Sequence, residues 1–170
     1  ERVVRDTANW QFNRKLYINL KSEVLASDEP WLELFSDGNG MEKGNQNEPE
    51  ACSIQHRNAY SIGNWNGGNF YANCVYKHAD IETMLCKLSQ DFTAGTRYLV
   101  VLPYIPTASW QHHLSHYRVL AEYEEGSKRI FSCRREDTYN PEELEPCPSD
   151  EGGGDRVFIS GTPWPVRVYY

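Results

Sequence analysis

Residues 92–102 read Phe-Thr-Ala-Gly-Thr-Arg-Tyr-Leu-Val-Val-Leu, a turn that leads directly into the most continuous apolar run of the chain. Gly95 can adopt a positive φ without steric cost, which suits a tight turn. The run 99–102 predicts a buried strand. Tyr98 stands three residues after the glycine, so we expect its hydroxyl to bond to the backbone of this turn. The stretch therefore predicts a strand whose entry is fixed by a tyrosine.

Alternating apolar and polar residues predict further strands on both sides of this stretch. Leu16, Ile18 and Leu20 alternate with polar residues and predict a strand early in the chain. The other predicted strands are 31–35, 70–76, 156–160 and 166–170, with a hairpin made of 117–123 and 128–133. Residues 81–88 instead have their apolar side chains at helical spacing. The total, about eight or nine short strands and one short helix, predicts an all-β fold.

In residues 92–102 the apolar Phe92 is followed by any residue, a small residue, Gly, Thr, any residue and Tyr, and then by aliphatic residues. This order resembles the corresponding stretch of fibronectin type III modules. In such immunoglobulin-like domains a tyrosine corner fixes the entry of a late strand. The resemblance implies an immunoglobulin-like β-sandwich, here with one short helix and additional C-terminal strands.

The length of 170 residues predicts a single domain, 1–170. Residues 41–51 contain little that could be buried, and we expect a flexible loop there. Residues 134–155 are acidic and rich in Pro and Gly, which predicts an arm between strands.

The charge balance bears on the partners. The formal net charge is −7, with 17 basic against 24 acidic residues, so we do not expect binding to DNA. The chain has no apolar run long enough for membrane insertion. No Gly-rich phosphate loop or other cofactor motif stands out, so we expect no cofactor.

The five cysteines show no CxxC spacing, which disfavours a zinc or thioredoxin-like site. Disulfides in a secreted protein fit the composition better. We expect the pairs Cys74–Cys86 and Cys133–Cys147, with Cys52 left over as a buried free thiol or an intermolecular partner. The chain is therefore predicted to be extracellular.

Aromatic residues in loops suggest a recognition module. Trp65 lies in an Asn/Gly-rich loop, and Tyr104 and Trp110 follow the apolar strand near two prolines. Exposed Trp and Tyr are common anchors at interfaces, so a protein or carbohydrate ligand is the favoured partner, although Trp65 packed over the rim of the core is the alternative. His112 and His116 would share one face of a helix, which leaves a metal site open, but flanking prolines favour a solvated loop.

A second interpretation makes the protein an enzyme. The order His78, Glu122, Arg156, the last within Gly-Asp-Arg-Val, resembles the layout of small secreted fungal ribonucleases of the guanyl-specific and ribotoxin type. The resemblance implies Glu122 as general base on the RNA 2′-hydroxyl, His78 as an auxiliary group and Arg156 as the phosphate ligand. A surface salt bridge is the alternative role for Glu122 or Arg156.

A third interpretation is lipid carriage. The segment from Gly-Thr-Arg-Tyr to Cys133 is similar to the second half of ML lipid-recognition domains. That resemblance implies a sandwich that holds a lipid between its sheets. The binding module is favoured over the ribonuclease and the lipid carrier.

Overall fold

The computed structural model describes residues 10–24, 31–53 and 58–170. Strands are its dominant elements. In chain order they are β1 (Gln11–Phe12), β2 (Trp31–Ser36), β3 (Glu50–Ser53), β4 (Asn69–Ala72), β5 (Arg97–Pro103), β6 (Val119–Tyr123), β7 (Phe131–Arg134), β8 (Arg156–Phe158) and β9 (Val166–Tyr169). The helices are α1 (Arg14–Val24), α2 (Gly40–Lys43) and α3 (His78–Asp91). None of these helices has the length and hydropathy needed to cross a membrane.

The strands form two sheets. The large sheet has six strands in the order β3-β2-β4-β5-β9-β6, and the small sheet has three in the order β1-β7-β8. In the large sheet β3, β2, β4 and β5 are parallel neighbours, whereas β9 is antiparallel to both β5 and β6. Five strands therefore point the same way and β9 alone runs against them. Their C-terminal ends meet at one edge of the sheet, which we call the carboxyl edge.

The large sheet is covered on both faces. On one face Phe70, Tyr98 and Val100 pack with the buried residues of α3. On the other face Tyr71, Leu99 and the neighbouring aliphatics pack against α1 and the small sheet. Successive residues of β5 thus enter two different cores, which is why the sequence of this strand is continuously apolar instead of alternating.

This topology differs from the predicted immunoglobulin-like one. The coarse prediction, a β-rich chain with two sheets, is confirmed. Immunoglobulin-like sandwiches, however, pair their strands antiparallel, and the stretch 92–102 enters β5, a parallel partner of β4. The physical reason is α3, because a helical crossover between two strands returns the chain to the same end of the sheet and makes the strands parallel.

Tyr98 is an anchor, but not of its own turn. Gly95 does adopt a positive φ, of 91°. The hydroxyl of Tyr98 donates to the backbone carbonyl of Trp65, in the segment that precedes β4. The predicted tyrosine corner is therefore replaced by a bond between two segments that lie 33 residues apart in sequence.

The predicted early strand is a helix. In α1 the buried residues are Tyr17 and Leu20, three apart, while Ile18 is 50% exposed. Asn13 begins this helix, since its side-chain oxygen accepts hydrogen bonds from the backbone N–H groups of Lys15 and Leu16 at 3.0 and 3.3 Å. The alternation of Leu16, Ile18 and Leu20 suggested a strand, but the capping residue Asn13 before them is the stronger signal and indicates the start of a helix.

The predicted helix at 81–88 is confirmed as the centre of α3. The predicted hairpin of 117–123 and 128–133 is wrong, because β6 pairs with β9 while β7 pairs with β1 and β8 in the other sheet. The turn between them, 124–127, is present but directs the chain from one sheet to the other.

All five cysteines are free thiols, so neither Cys74–Cys86 nor Cys133–Cys147 is bonded in this structure. Segment 41–51, for which the composition predicts a flexible loop, contains most of α2 and the start of β3, and it buries Asn47 and Glu48. Arm 134–155 contains three short 3₁₀ turns.

Candidate functional site

A cavity of about 620 Å³ opens at the carboxyl edge of the large sheet. Its walls come from the ends of β2, β3 and β4, from the start of α3, and from aromatic residues next to the small sheet and β9. The lining residues are Trp10, Leu34, Phe35, Ser36, Asp37, Asn45, Cys52, Ser53, Asn58, Ala59, Tyr60, Asn73, Cys74, Val75, Tyr76, Asp80, Phe131 and Trp164. This volume is typical of a site for a small molecule.

The sheet topology explains why the cavity is here. In the order β3-β2-β4-β5, the chain leaves β2 towards β3 on one side, and leaves β4 towards β5 on the other. The two connections diverge and leave a crevice between the ends of β2 and β4. In open sheets with parallel strands, ligands bind in such crevices outside the carboxyl ends of the strands.

The turn 36–40 follows β2, and its first two residues, Ser36 and Asp37, line the cavity. Gly38 and Gly40 both have positive φ, of 82° and 83°. The carboxylate of Asp37 holds the turn, accepting hydrogen bonds from the backbone N–H groups of Asn39 at 3.0 Å and Asn45 at 3.2 Å. The glycines let the chain turn sharply after β2, and the two hydrogen bonds fix the Asp37 carboxylate at the cavity wall.

The segment after β4 supplies a second polar group. The hydroxyl of Tyr76 donates to the side-chain oxygen of Asn73 at 2.7 Å, which fixes the orientation of that amide. Removal of the Tyr76 ring from water raises its pKa well above the ordinary value, so the hydroxyl stays a donor. The amide N–H groups of Asn73 then point away from Tyr76 and are available to a ligand.

Two aromatic walls face the cavity. One combines Trp10, Trp164 and Tyr76, with ring centroids of Trp10–Trp164 at 5.9 Å and Tyr76–Trp164 at 5.8 Å. The other is formed by Phe35 and Tyr60, whose centroids are 5.7 Å apart. Planar apolar surfaces of this kind favour a ligand that contains an aromatic ring.

The cavity is acidic. Asp37 and Asp80 line it, and no Lys, Arg or His does so among the residues that the structure describes. Burial, with smaller contributions from the neighbouring Cys74 and Asp80, raises the pKa of Tyr60 to about 12. Burial also raises the pKa of the Cys74 thiol to about 12, again helped by Asp80. The site favours a ligand that is neutral or positively charged.

A smaller cavity of about 220 Å³ adjoins the first. The two share Tyr76 and Trp164, and the smaller one is completed by His78, Ile81, Pro103 and Ile105. The Nδ1 atom of His78 accepts a hydrogen bond from the indole N–H of Trp110 at 3.0 Å. The neutral imidazole therefore carries its proton on Nε2. Two cavities that meet at Tyr76 provide places for two different ligands.

The aromatic residues predicted to bind a ligand are not exposed loop residues. Trp65 and Trp110 are both fully buried. The indole N–H of Trp65 donates to the carbonyl of Ala59 at 2.8 Å, so this residue packs in the core, as in the alternative drawn from the sequence. Tyr104 is half-buried under the guanidinium of Arg167, 3.5 Å from its ring centroid.

The three residues of the ribonuclease interpretation lie in different parts of the fold. His78 begins α3, Glu122 lies on β6 and pairs with Arg167 at 3.0 Å, and Arg156 is buried in the small sheet. The guanidinium of Arg156 donates hydrogen bonds to the carbonyl of Gly44 and to the carbonyl and side-chain hydroxyl of Ser132. None of these bonds joins one member of the set to another.

Of the two predicted metal ligands, His112 bonds through Nδ1 to the carbonyl of Ser109 at 2.7 Å, and His116 is exposed. Neither belongs to a group of three or more potential ligand atoms within the described part of the chain.

Sequence reasoning missed the residues that line the cavity. The signal that could have found part of them is Ser36-Asp37 directly after the predicted strand 31–35, because polar residues that follow a strand lie at the sheet edge where ligands bind. In the comparisons with known proteins, no family model, no curated protein and no solved structure gave a significant match to this chain.

Proposed function

We propose that this protein binds an S-adenosylmethionine-type cofactor in the larger cavity and transfers its methyl group to an amino nitrogen of a planar acceptor. The observation that carries the proposal is the acidic, aromatic cavity at the carboxyl edge, between the glycine turn 36–40 and residues 73–76. The acceptor belongs in the smaller cavity on the other side of Tyr76.

The strand order supports this reaction class by analogy. A parallel sheet whose last strand is inserted antiparallel beside the others is the arrangement of methyltransferases that use S-adenosylmethionine. Here β9 is inserted in this way between β5 and β6. Such a likeness of topology does not by itself assign a function, so the chemistry of the site has to support it.

The charge of the cavity distinguishes between nucleotide cofactors. Phosphate-bearing dinucleotides usually rest on the first turn of a long helix, whose dipole favours anions. Here α2 has four residues, and Asp37 and Asp80 line the cavity. A cofactor with an ammonium and a sulfonium group but no phosphate matches this environment better.

The residues present fit such a cofactor. Ser36 and Asp37 bring the end of β2 to the cavity wall, and Phe35 and Tyr60 offer ring faces to the adenine of the cofactor. Asp37 or Asp80 can balance its positive charges. When bound, the cofactor would supply an electrophilic methyl carbon, which a nitrogen lone pair attacks while the carbon–sulfur bond breaks and the uncharged thioether leaves.

The remaining steps belong to the side chains of this chain. Asn73 lines the larger cavity beside Tyr76, which both cavities share, so its amide can hold the amino group of an acceptor that reaches past Tyr76 from the smaller cavity. The aromatic wall formed by Trp10, Trp164 and Tyr76 covers the reacting atoms on one side with apolar rings. The acceptor nitrogen loses one proton to solvent as the new carbon–nitrogen bond forms, so no strong base is required.

Calorimetric titration with S-adenosylmethionine and with its uncharged-sulfur product S-adenosylhomocysteine tests the proposal. We expect both to bind, and we expect Asp80→Asn to weaken binding of the sulfonium form by about fivefold, the effect of losing roughly 1 kcal/mol of charge pairing. Asp150→Asn, an exposed acid outside the cavity, is the matched control. Failure of both compounds to bind to the folded protein would refute the proposal.

Methyl transfer is tested separately with labelled cofactor and uncharged nucleobases or nucleosides that bear an exocyclic amino group. Asn73→Ala is expected to abolish transfer while cofactor binding persists, because Asn73 acts on the acceptor. Equal loss of both would mean that Asn73 supports the cofactor site only.

The interpretations drawn from the sequence give different outcomes in the same assays. The recognition module stays a prediction from the sequence. Under the present proposal the ligand binds in a cavity and not on exposed aromatic loops. Cleavage of RNA by the purified protein would favour the ribonuclease, and extraction of bound lipid would favour the lipid carrier.

A further inference from the structure

We propose that Glu82, Cys86 and His113 form a binding site for a transition metal ion of the zinc type. The three potential ligand atoms lie within 4.8 Å of one another. They join α3 to the 3₁₀ turn Gln111–Leu114, on the face of the sheet opposite α1. The site is separate from both cavities and does not depend on the proposed methyl transfer.

The distances suit tetrahedral coordination. The Nε2 atom of His113 is 3.1 Å from Oε1 of Glu82 and 3.8 Å from Sγ of Cys86, and Sγ is 3.9 Å from Oε1. Zinc bonds of about 2.1 Å to nitrogen or oxygen and about 2.3 Å to sulfur place neighbouring ligand atoms roughly 3.3–3.6 Å apart in a tetrahedron. Each separation therefore needs to change by only about 0.3 Å.

The local structure holds the ligands in place. Glu82 and Cys86 are one helical turn apart, so both side chains project from the same face of α3. A single nitrogen of His113 faces both of them, and the ring packs against that of His112 with centroids 4.1 Å apart. The set combines imidazole, thiol and carboxylate, which are the three ligand types that Zn²⁺ accepts.

An unsatisfied atom supports the assignment independently. The second carboxylate oxygen of Glu82, Oε2, is removed from solvent and has no hydrogen-bond partner among the described residues. A buried carboxylate oxygen without a partner is costly, and a cation bound to Oε1 would offset the negative charge that Oε2 shares. Three protein ligands leave a further position for water or a substrate atom.

The consequence for the fold is a link between α3 and the turn at 111–114. Trp110, directly before this turn, donates to His78 at the start of α3 in the smaller cavity. An ion at Glu82, Cys86 and His113 would fix the distance between the two elements and so stabilise this contact.

Titration of the untagged, reduced protein with Co²⁺ tests the site, since a cobalt–thiolate bond gives a near-ultraviolet charge-transfer absorption and Zn²⁺ should then displace it. We expect one equivalent of ion per chain, and loss of the absorption in Cys86→Ser and in His113→Gln. His112→Gln, which changes the adjacent histidine, is expected to keep full binding. Circular dichroism of each metal-free variant establishes that it is folded.

Glu82→Gln provides a second variant at a partly exposed position, and it is expected to weaken Co²⁺ and Zn²⁺ binding while the thiolate absorption persists at saturation. An unchanged stoichiometry and affinity in folded Cys86→Ser or His113→Gln would overturn the proposal. Absence of the thiolate band in the wild-type protein at excess Co²⁺ would also overturn it.

Discussion

We expect this protein to lose stability between pH 5 and pH 8, and replacement of the buried Glu33 by glutamine should remove most of that loss. Glu33 is on β2 and is 2% exposed. Burial raises its pKa from 4.5 to about 8, although hydrogen bonds from the backbone N–H groups of Asn47 and Glu48, at 2.7 and 3.2 Å, act in the opposite direction.

The sign of the effect follows from proton binding. The folded protein holds the proton of Glu33 up to about pH 8, whereas the unfolded chain releases it near pH 4.5. The stabilisation is therefore complete below pH 4.5 and is lost as the pH rises through 8. At about 1.4 kcal/mol for each pH interval of one, the free energy of unfolding should fall by up to roughly 4 kcal/mol from pH 5 to pH 8.

Urea unfolding at a series of pH values measures this slope. Glu33→Gln keeps an oxygen acceptor for Asn47 and Glu48 but cannot ionise, so its curve should be nearly flat over the range in which the wild-type curve falls. Glu50→Gln, an exposed carboxyl on the neighbouring strand β3, is the control and should follow the wild type. Parallel curves for wild type and Glu33→Gln would mean that Glu33 is ionised throughout, and would refute the reasoning.

Three further outcomes follow from single contacts. Burial raises the pKa of Asp91, but the Lys87 ammonium at 2.9 Å and the Trp65 N–H at 2.8 Å together bring it below 3.8. The ionised Asp91 therefore stabilises the wild type until the pH falls through that lowered pKa. Asp91→Asn should lack this stabilisation, as measured by acid unfolding. Tyr98→Phe leaves the Trp65 carbonyl without its buried donor and should lower the free energy of unfolding by about 1–2 kcal/mol, measured in urea. Cys74, with a pKa raised to about 12, should react with iodoacetamide at pH 8 far more slowly than an unfolded control, as followed by mass spectrometry.

Local patterns in the sequence were sufficient for some elements. The apolar run 99–102 was predicted as a buried strand and lies in β5, and the helical spacing of 81–88 lies in α3. Both are elements in which every apolar side chain enters a core, so burial alone determines the pattern.

Strand direction was beyond the reach of such patterns. A continuous apolar run is typical of a parallel strand covered on both faces, but the Gly-Thr-Arg-Tyr turn before β5 favoured an antiparallel sandwich. The direction of two strands depends on what connects them, and β4 and β5 are connected by α3. The sequence predicted this helix correctly, but not that it makes the two strands parallel.

The candidate site could not have been assembled from spacing in the sequence. Its two aromatic walls combine Trp10 and Trp164 from opposite ends of the chain with Tyr76 and Phe35 from the middle. These residues meet because β9 is inserted antiparallel and begins at the carboxyl edge, which brings the segment before it next to the ends of the parallel strands.

The buried acid of β2 connects the stability of the fold to the geometry of the site. Glu33 holds the main chain at Asn47 and Glu48, and two residues earlier Asn45 exchanges hydrogen bonds with Asp37, donating through its backbone N–H and accepting from the backbone N–H of Asp37. The segment 45–48 thus fixes the turn 36–40. The same segment is held by the buried carboxyl group of Glu33, whose ionisation costs free energy. A more apolar residue at position 33 would remove that cost, but it would also release the segment that holds Asn45 and Asp37 in the wall of the cavity. The polar composition of this segment, which suggested a loop with nothing to bury, is therefore what positions the Asp37 carboxylate for a ligand.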